Sequence, residues 1–227
     1  MKQLILLALL ASSTAAVQAQ SIAAGTISLG GSIGYNQNTV KSEFKSSNGD
    51  VFTFETTVSQ FQFSPSAGYF LADNLALGLN LGYTAARTKQ VFAGPRTTSP
   101  NPLDASTTLR VGPYVQYYKM LSEQFGLLGT LGAGYQSSFM PFYSNPNNNN
   151  NIVESKAKGF YASLTPGVIF FPVPKFGISA SIGGLGYDRV GVERSDDANG
   201  RTQSVSAFGA GFGLSQLLFG GTLFLGR

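Results

Sequence analysis

Four alternating runs, each closed by Gly-Tyr, constrain this chain more than any other feature. They are TISLGGSIGY (26–35), LALGLNLGY (75–83), FGLLGTLGAGY (125–135) and FGISASIGGLGY (176–187). Their tyrosines, Tyr35, Tyr83, Tyr135 and Tyr187, lie 48, 52 and 52 residues apart. A second series interleaves with the first: Pro65 to Tyr69, Pro113 to Tyr117 and Pro166 to Phe170, each a proline followed four residues later by an aromatic. Period-two alternation marks strands, and a fixed period of this length marks one supersecondary unit used repeatedly. The unit reads as an ascending strand, a long polar connection, a descending strand and a short turn, so four units give eight strands.

The short connections are Ala72-Asp73-Asn74, Lys119 to Gln124, and Pro172-Val173-Pro174-Lys175, all with ordinary turn chemistry. The long ones, roughly 36–51, 85–105, 137–156 and 188–203, are rich in Ser, Asn, Gly, Pro and charge, and read as loops. The asparagine run Asn147 to Asn151 reads as a mobile loop tip. The last segment, 204–227, is longer than its siblings and lacks their proline, so it is expected to hold a bulge or an overhang. A proline in a paired strand removes a ladder hydrogen bond. A bulge or local gap is therefore expected at the level of Pro65, Pro113 and Pro166.

The two faces of these strands differ sharply. One carries Ile27, Leu29 and Ile33; Leu75, Leu77, Leu79 and Leu81; Leu109, Val111 and Val115; and their equivalents further along. The other carries Ser, Gly, Thr, Asn and Gln. Soluble sandwiches and lipocalin-like barrels also alternate, but their outer polar face carries charge. Here only 11% of residues are charged, against about 25% in ordinary soluble domains, and nearly all fall outside the strands. The small polar face therefore suits the crowded lumen of a narrow closed barrel, and the aliphatic face suits lipid, because closure leaves no strand edge in the hydrocarbon.

Aromatic positions test this reading. Near the long connections the apolar face carries Tyr35, Tyr83, Tyr135, Phe160 and Tyr187; near the short turns it carries Tyr69, Tyr117, Phe125, Phe170 and Phe176. Ten residues separate Phe125 from Tyr135, which at about 3.4 Å per residue and a tilt near 45° is roughly 24 Å, the height of a membrane-barrel apolar band. Short turns belong to the periplasm and long connections to the outside in such barrels. The N-terminus is accordingly expected in the periplasm. Lumen-facing candidates are Gln60, Gln62, Asn80, Arg110, Gln116, Thr130 and Gln136. Arg110 could line or plug a polar passage, or lie above the membrane as a strand-end residue reaching for water. Eight-stranded barrels are just wide enough to be filled by side chains, so a broad diffusion pore is not expected.

Residues 1–19 read as a secretory signal, with Lys2 as positive n-region, an apolar run from Leu4 to Ala11, and Val17-Gln18-Ala19 as cleavage site. The barrel domain then spans 20–227. Without Lys2, 14 basic and 11 acidic residues leave a net +3, which argues neither for a nucleic-acid partner nor for a basic membrane patch, and no nucleic acid is expected. No cysteine is present, so neither disulfides nor thiolate metal sites can form.

The phrases SPSAGYFLADNLALGLNLGY, GPYVQYYKML, GGLGYDR and LLFGGTLFLGR resemble the small porin-family outer-membrane β-barrels of Gram-negative bacteria, the group around the outer-membrane proteins A, X and W. The resemblance covers nearly all of 20–227. It implies an all-β, closed, antiparallel up-and-down transmembrane barrel, partnered by outer-membrane lipid and lipopolysaccharide, and by the barrel-assembly machinery during insertion. Members tend to end the last strand on an aromatic residue that this machinery reads; here Phe224 is followed by three more residues.

Chemistry is sparse. The chain has no histidine, whereas outer-membrane phospholipases, lipid-A deacylases and omptin-type proteases resemble one another in using one as base or proton shuttle. No phosphate loop is present, and no cofactor is expected. Asp188, Glu193, Asp196 and Asp197 could hold a divalent cation or form a solvated charged loop with Arg189, Arg194 and Arg201. The expected role is non-enzymatic, as a structural or surface-interaction monomer acting through its long connections; the alternative is a narrow porin or transporter for small or apolar solutes.

Overall fold

A computed structural model describes residues 21–93, 103–145, 148–197 and 200–226; the signal segment expected at 1–19 lies outside them. Eight strands form one closed antiparallel barrel in chain order: β1 (Ile27–Lys45), β2 (Val51–Ala72), β3 (Leu75–Ala93), β4 (Ser106–Met120), β5 (Phe125–Asn145), β6 (Asn148–Val173), β7 (Phe176–Arg194) and β8 (Thr202–Leu225). The all-β up-and-down architecture is the one the alternation demands.

The aliphatic set points away from the barrel axis. Leu79 is 65% exposed, while its neighbours Gly78 and Asn80 turn inward toward Tyr114 and the lumen. All ten girdle tyrosines and phenylalanines are exposed on that outer face. In the upper belt Tyr35 pairs with Phe61, Phe63 with Tyr83, Tyr135 with Phe160 and Tyr187 with Phe208. The rings of Tyr135 and Phe160 meet edge to face at 6.3 Å.

Each proline sits beside a gap in one ladder only. Pro65 stays opposite Gly31, but the β2–β3 ladder skips from Phe63↔Tyr83 to Ser66↔Asn80. Likewise β4–β5 skips from Val111↔Tyr135 to Tyr114↔Gly132 around Pro113. Around Pro166, β6–β7 skips from Leu164↔Leu185 to Gly167↔Ser181. The missing N–H is the cause, and at Pro113 the strands close up beside it. A Cβ on Gly112 would collide with the Ala133 carbonyl, and one on Gly134 with that of Val111.

Phe176 and Tyr187 are an odd number of residues apart, yet both point outward. Gly183 reconciles them: it lies at φ 102°, where the β7–β8 register jumps from Ile182↔Leu217 to Gly183↔Phe212. Residues 213–216 are the surplus on β8, which is the bulge expected of the long last segment.

The long connections differ from expectation. Strand pairing climbs far into them: Lys45 pairs with Val51, leaving only 46–50 as a turn, and Asn145 pairs with Asn148. Asn148 to Asn151 thus open β6 and do not form a loop of their own, while Asn147 lies outside the described residues. Residues 188–194 likewise belong to β7. Polar composition above a membrane is compatible with either loop or strand. Here alternate apolar residues tip the balance, with Phe44 stacked on Phe52 at 5.1 Å and Phe54 tilted against Phe92 at 4.7 Å.

A lysine in place of Leu79 would put a charge on the lipid face near the middle of the wall. Leu79→Lys is expected to cost about 2–4 kcal/mol in equilibrium unfolding from lipid bilayers, whereas Asn80→Leu changes a lumen position and should leave the outer surface intact.

A polar lumen above an apolar plug

Each short-turn end carries an aromatic doublet or its equivalent: Tyr69-Phe70, Tyr117-Tyr118, Phe170-Phe171 and Leu223-Phe224. The first member faces out and the second in. Phe70, Tyr118, Phe171 and Phe224 are spaced 48, 53 and 53 residues apart, so the repeat places one from each unit at the same height. Phe224 lies 5.2 Å from Phe171 and 6.1 Å from both Phe70 and Tyr118, ring centroid to ring centroid. Ile22, Ala76, Met120 and Ile169 complete a fully enclosed apolar cluster.

The backbone repeats this order. The amides of Phe70, Tyr118, Phe171 and Phe224 donate to the carbonyls of Thr26, Asn74, Gln124 and Lys175, at 2.7–2.9 Å. Each plug aromatic is therefore tied to the neighbouring connection. Ile22 comes from the segment ahead of β1, which crosses the end of the barrel. Its amide donates to Asn74 Oδ1 at 2.8 Å, and the Asn74 amide returns a bond to its carbonyl at 2.9 Å. Asn74 sits at φ 63°, a conformation asparagine tolerates better than other side-chain-bearing residues. The Ala24 amide donates to Asp73 Oδ1 at 3.0 Å.

Above the plug lies a cavity of about 540 Å³. Six of the seven lumen candidates line it: Gln60, Gln62, Asn80, Arg110, Gln116 and Thr130. Gln116 joins plug to cavity, since its Oε1 accepts from the Tyr118 hydroxyl at 2.6 Å and its Nε2 donates to Thr130 at 2.9 Å. Gln136, the seventh, is buried beside the cavity and holds Arg110, accepting from its Nε at 2.9 Å. The Arg110 Nη2 donates to Asp188 at 2.9 Å, and the guanidinium lies 5.0 Å from the Tyr161 ring centroid. Arg110 is thus a lumen residue and not a strand-end one. Its charge is balanced by a partner 78 residues away.

Asp188 consequently leaves the acidic group expected in the last long connection. Asp196 turns to Arg194, which donates to it through Nε and Nη2 at 2.9 and 2.8 Å and holds its carboxyl below the usual range. Among the described residues no three His, Cys, Asp or Glu come together as a metal site would require. The cavity lining offers hydroxyls, amides and one engaged guanidinium, with no carboxylate among them. Sequence reasoning missed the plug, although the 48- and 53-residue spacing of its aromatics was available to find it.

An apolar exterior, a small polar interior and complete strand closure define a transmembrane β-barrel. The chain belongs to the outer membrane protein beta-barrel domain family, whose profile matches residues 4–215, and its place is the outer membrane. Among solved structures it is similar to the outer membrane protein OprG from Pseudomonas aeruginosa, at 13% identity and a TM-score of 0.50, covering 90% of this chain and 98% of that one. This likeness shows the fold. A match to the outer membrane protease OmpT from Escherichia coli has 13% identity and a TM-score of 0.34, over 88% of this chain and 93% of that one. No curated protein matches the sequence.

Removing a plug ring leaves a cavity that its tethered neighbours cannot fill. Phe224→Ala is expected to destabilise the barrel by about 3–5 kcal/mol, seen as a lower temperature for the heat-dependent shift in gel mobility.

Proposed function

We propose that this protein is a non-conducting, non-enzymatic outer-membrane barrel whose role is structural or in surface interaction. The observation that carries this reading is the plug. A polar lumen closed at one end by Phe70, Tyr118, Phe171 and Phe224 offers no continuous aqueous path, whatever its width above them. The absence of histidine, and of any carboxylate among the described residues that line the cavity, argues against hydrolysis. In this reading the short turns and the plugged end face the periplasm, and the tall strand ends rise from the cell surface. The lipid-facing belts take up outer-membrane lipid and lipopolysaccharide, the assembly machinery inserts the chain, and one barrel stands alone within its own membrane.

A second reading has one observation in its favour. A cavity of about 620 Å³ opens through the wall between β1 and β8, where Ile33, Tyr35 and Phe219 meet Gln62 and Ser181. It would admit a small apolar solute sideways into the lumen. The plug would still bar its exit to the periplasm.

Planar bilayers separate these possibilities. The refolded protein should give no stepwise conductance, and liposomes carrying it should take up no small solute. The triple variant Phe70→Ala, Tyr118→Ala, Phe224→Ala, if it folds, should conduct. Discrete conductance steps from the unaltered protein would overturn the non-conducting reading in favour of a porin.

A further inference from the structure

The cup has two unlike halves. On the β4–β5 side its polar side chains are bonded to one another: Gln116 to Thr130 and Tyr118, Thr108 to Ser138, and Arg110 to Gln136 and to Asp188 of β7. On the β1–β3 side the carboxamides of Gln60, Gln62 and Asn80 line the same cavity and bond to no described residue. Asn36 stands opposite Gln60 on the β1–β2 ladder, and its side-chain amide is equally free. Polar groups turned into an enclosed space are normally partnered. Each carboxamide holds a donor and an acceptor side by side, so this half of the wall is equipped for a ligand that gives and accepts hydrogen bonds at neighbouring atoms.

Charge narrows the ligand further. On the inner face of β1, β2 and β3 alternation places no ionisable side chain; Lys41, Glu43, Lys45, Glu55, Arg87 and Lys89 all fall on the outer face. The guanidinium of Arg110, across the cup, is already engaged by Asp188 and Gln136. An anion would find no free cation on the lining and a cation no free carboxylate, while an apolar solute would leave the carboxamides unpaired at a cost. Small-molecule sites are mostly apolar, with few polar groups. A lining this rich in hydroxyls and amides matches a neutral solute that is itself covered in hydroxyls.

The free half continues in two directions. Gln60 and Gln62 also line the cavity at the β1–β8 seam, where the ladder ends at Ile33↔Phe219, so the two spaces meet at these residues. Above them the same inner face turns aromatic: Phe44 stacks on Phe52, Phe54 is tilted against Phe92, and Val40 and Phe44 remain 56% and 59% exposed. Phe54 lies six residues above Gln60, which at about 3.4 Å per residue is roughly 20 Å along the strand. A sugar ring carries hydroxyls around its rim and C–H groups on its faces, and the negative faces of aromatic rings suit those C–H groups. Amides leading up to exposed rings therefore suit a chain of sugars, and the wall is longer than one sugar needs.

We propose that the inner wall of β1–β3, from Asn80 up to Phe44, binds a neutral oligosaccharide that enters at the tall strand ends and stops at the plug. The inference rests on the surface-interaction reading above and names the chemistry of its ligand.

The probes are maltohexaose, cellohexaose, mannohexaose and the hexamer of N-acetylglucosamine, titrated by calorimetry into refolded protein in a detergent whose headgroup is not a sugar. At least one should bind, and a galacturonic acid hexamer should bind no better. Gln60→Leu combined with Gln62→Leu should weaken binding about ten-fold or more, the size of two lost amide contacts. Leu79→Ala, on the outer face, should leave it unchanged. Each variant is verified as folded by the gel-mobility shift. If the leucine pair does not fold, Gln60→Glu with Gln62→Glu keeps the shape, removes the donors and should weaken binding as well. No binding of any neutral probe, unchanged binding by the glutamine variants, or tighter binding of the charged hexamer would overturn the site. Planar bilayers keep the two claims apart. A sugar that binds and blocks a conductance of the unaltered protein would leave the site standing and overturn the non-conducting reading; no binding and no conductance would do the reverse.

Discussion

A backbone N–H or C=O left unpaired in hydrocarbon costs several kcal/mol, and the rest of this structure follows from that penalty. It forces the strands into a closed ladder, and closure divides every strand into a lipid face and a lumen face. With so little charge in the chain, neither face could serve as an ordinary wet surface. Apart from the β1–β8 ladder, which stops at Ile33↔Phe219, the interruptions between the two aromatic belts are local and coincide with a proline or with Gly183. Prolines remove one donor each from one side of the wall. Gly183 absorbs the odd residue that puts Phe176 and Tyr187 on the same face.

Closure does not by itself decide what fills the interior. The repeat of about fifty residues does so, because it brings an inward aromatic from each unit to the same level and ties its amide to the adjacent connection. The segment before β1 adds Ile22 beneath them. The lower barrel is thereby a packed core, and the upper barrel a polar cup whose only guanidinium among the lining residues is already engaged by Asp188 and Gln136. At the turn end the barrel is closed by apolar burial inside a ring of hydrogen bonds.

Features set by short-range pattern were legible in the sequence. Alternation separated Leu79 from Asn80, and the spacing of Tyr35, Tyr83, Tyr135 and Tyr187 gave the strand count and the upper belt. The doublets were read only for their outward members, so Phe70, Tyr118 and Phe171 were passed over. Strand height was misjudged because Thr, Ser and Asn above the membrane are common to loops and to solvated strands; only cross-strand stacks such as Phe44 on Phe52 distinguish the two. The Arg110–Asp188 pair and the seven-pair limit of the β1–β8 ladder are long-range facts, joining positions that nothing local connects.

The plug is the centre of this account, and accessibility from its two sides tests it most directly. Thr130→Cys places a single thiol in the cup, just above the bond between Gln116 and Tyr118. A small impermeant thiol reagent applied from the side of the tall strand ends should label it, while the same reagent confined to the short-turn side should not. Equal labelling from both faces would show an open lumen and contradict the account.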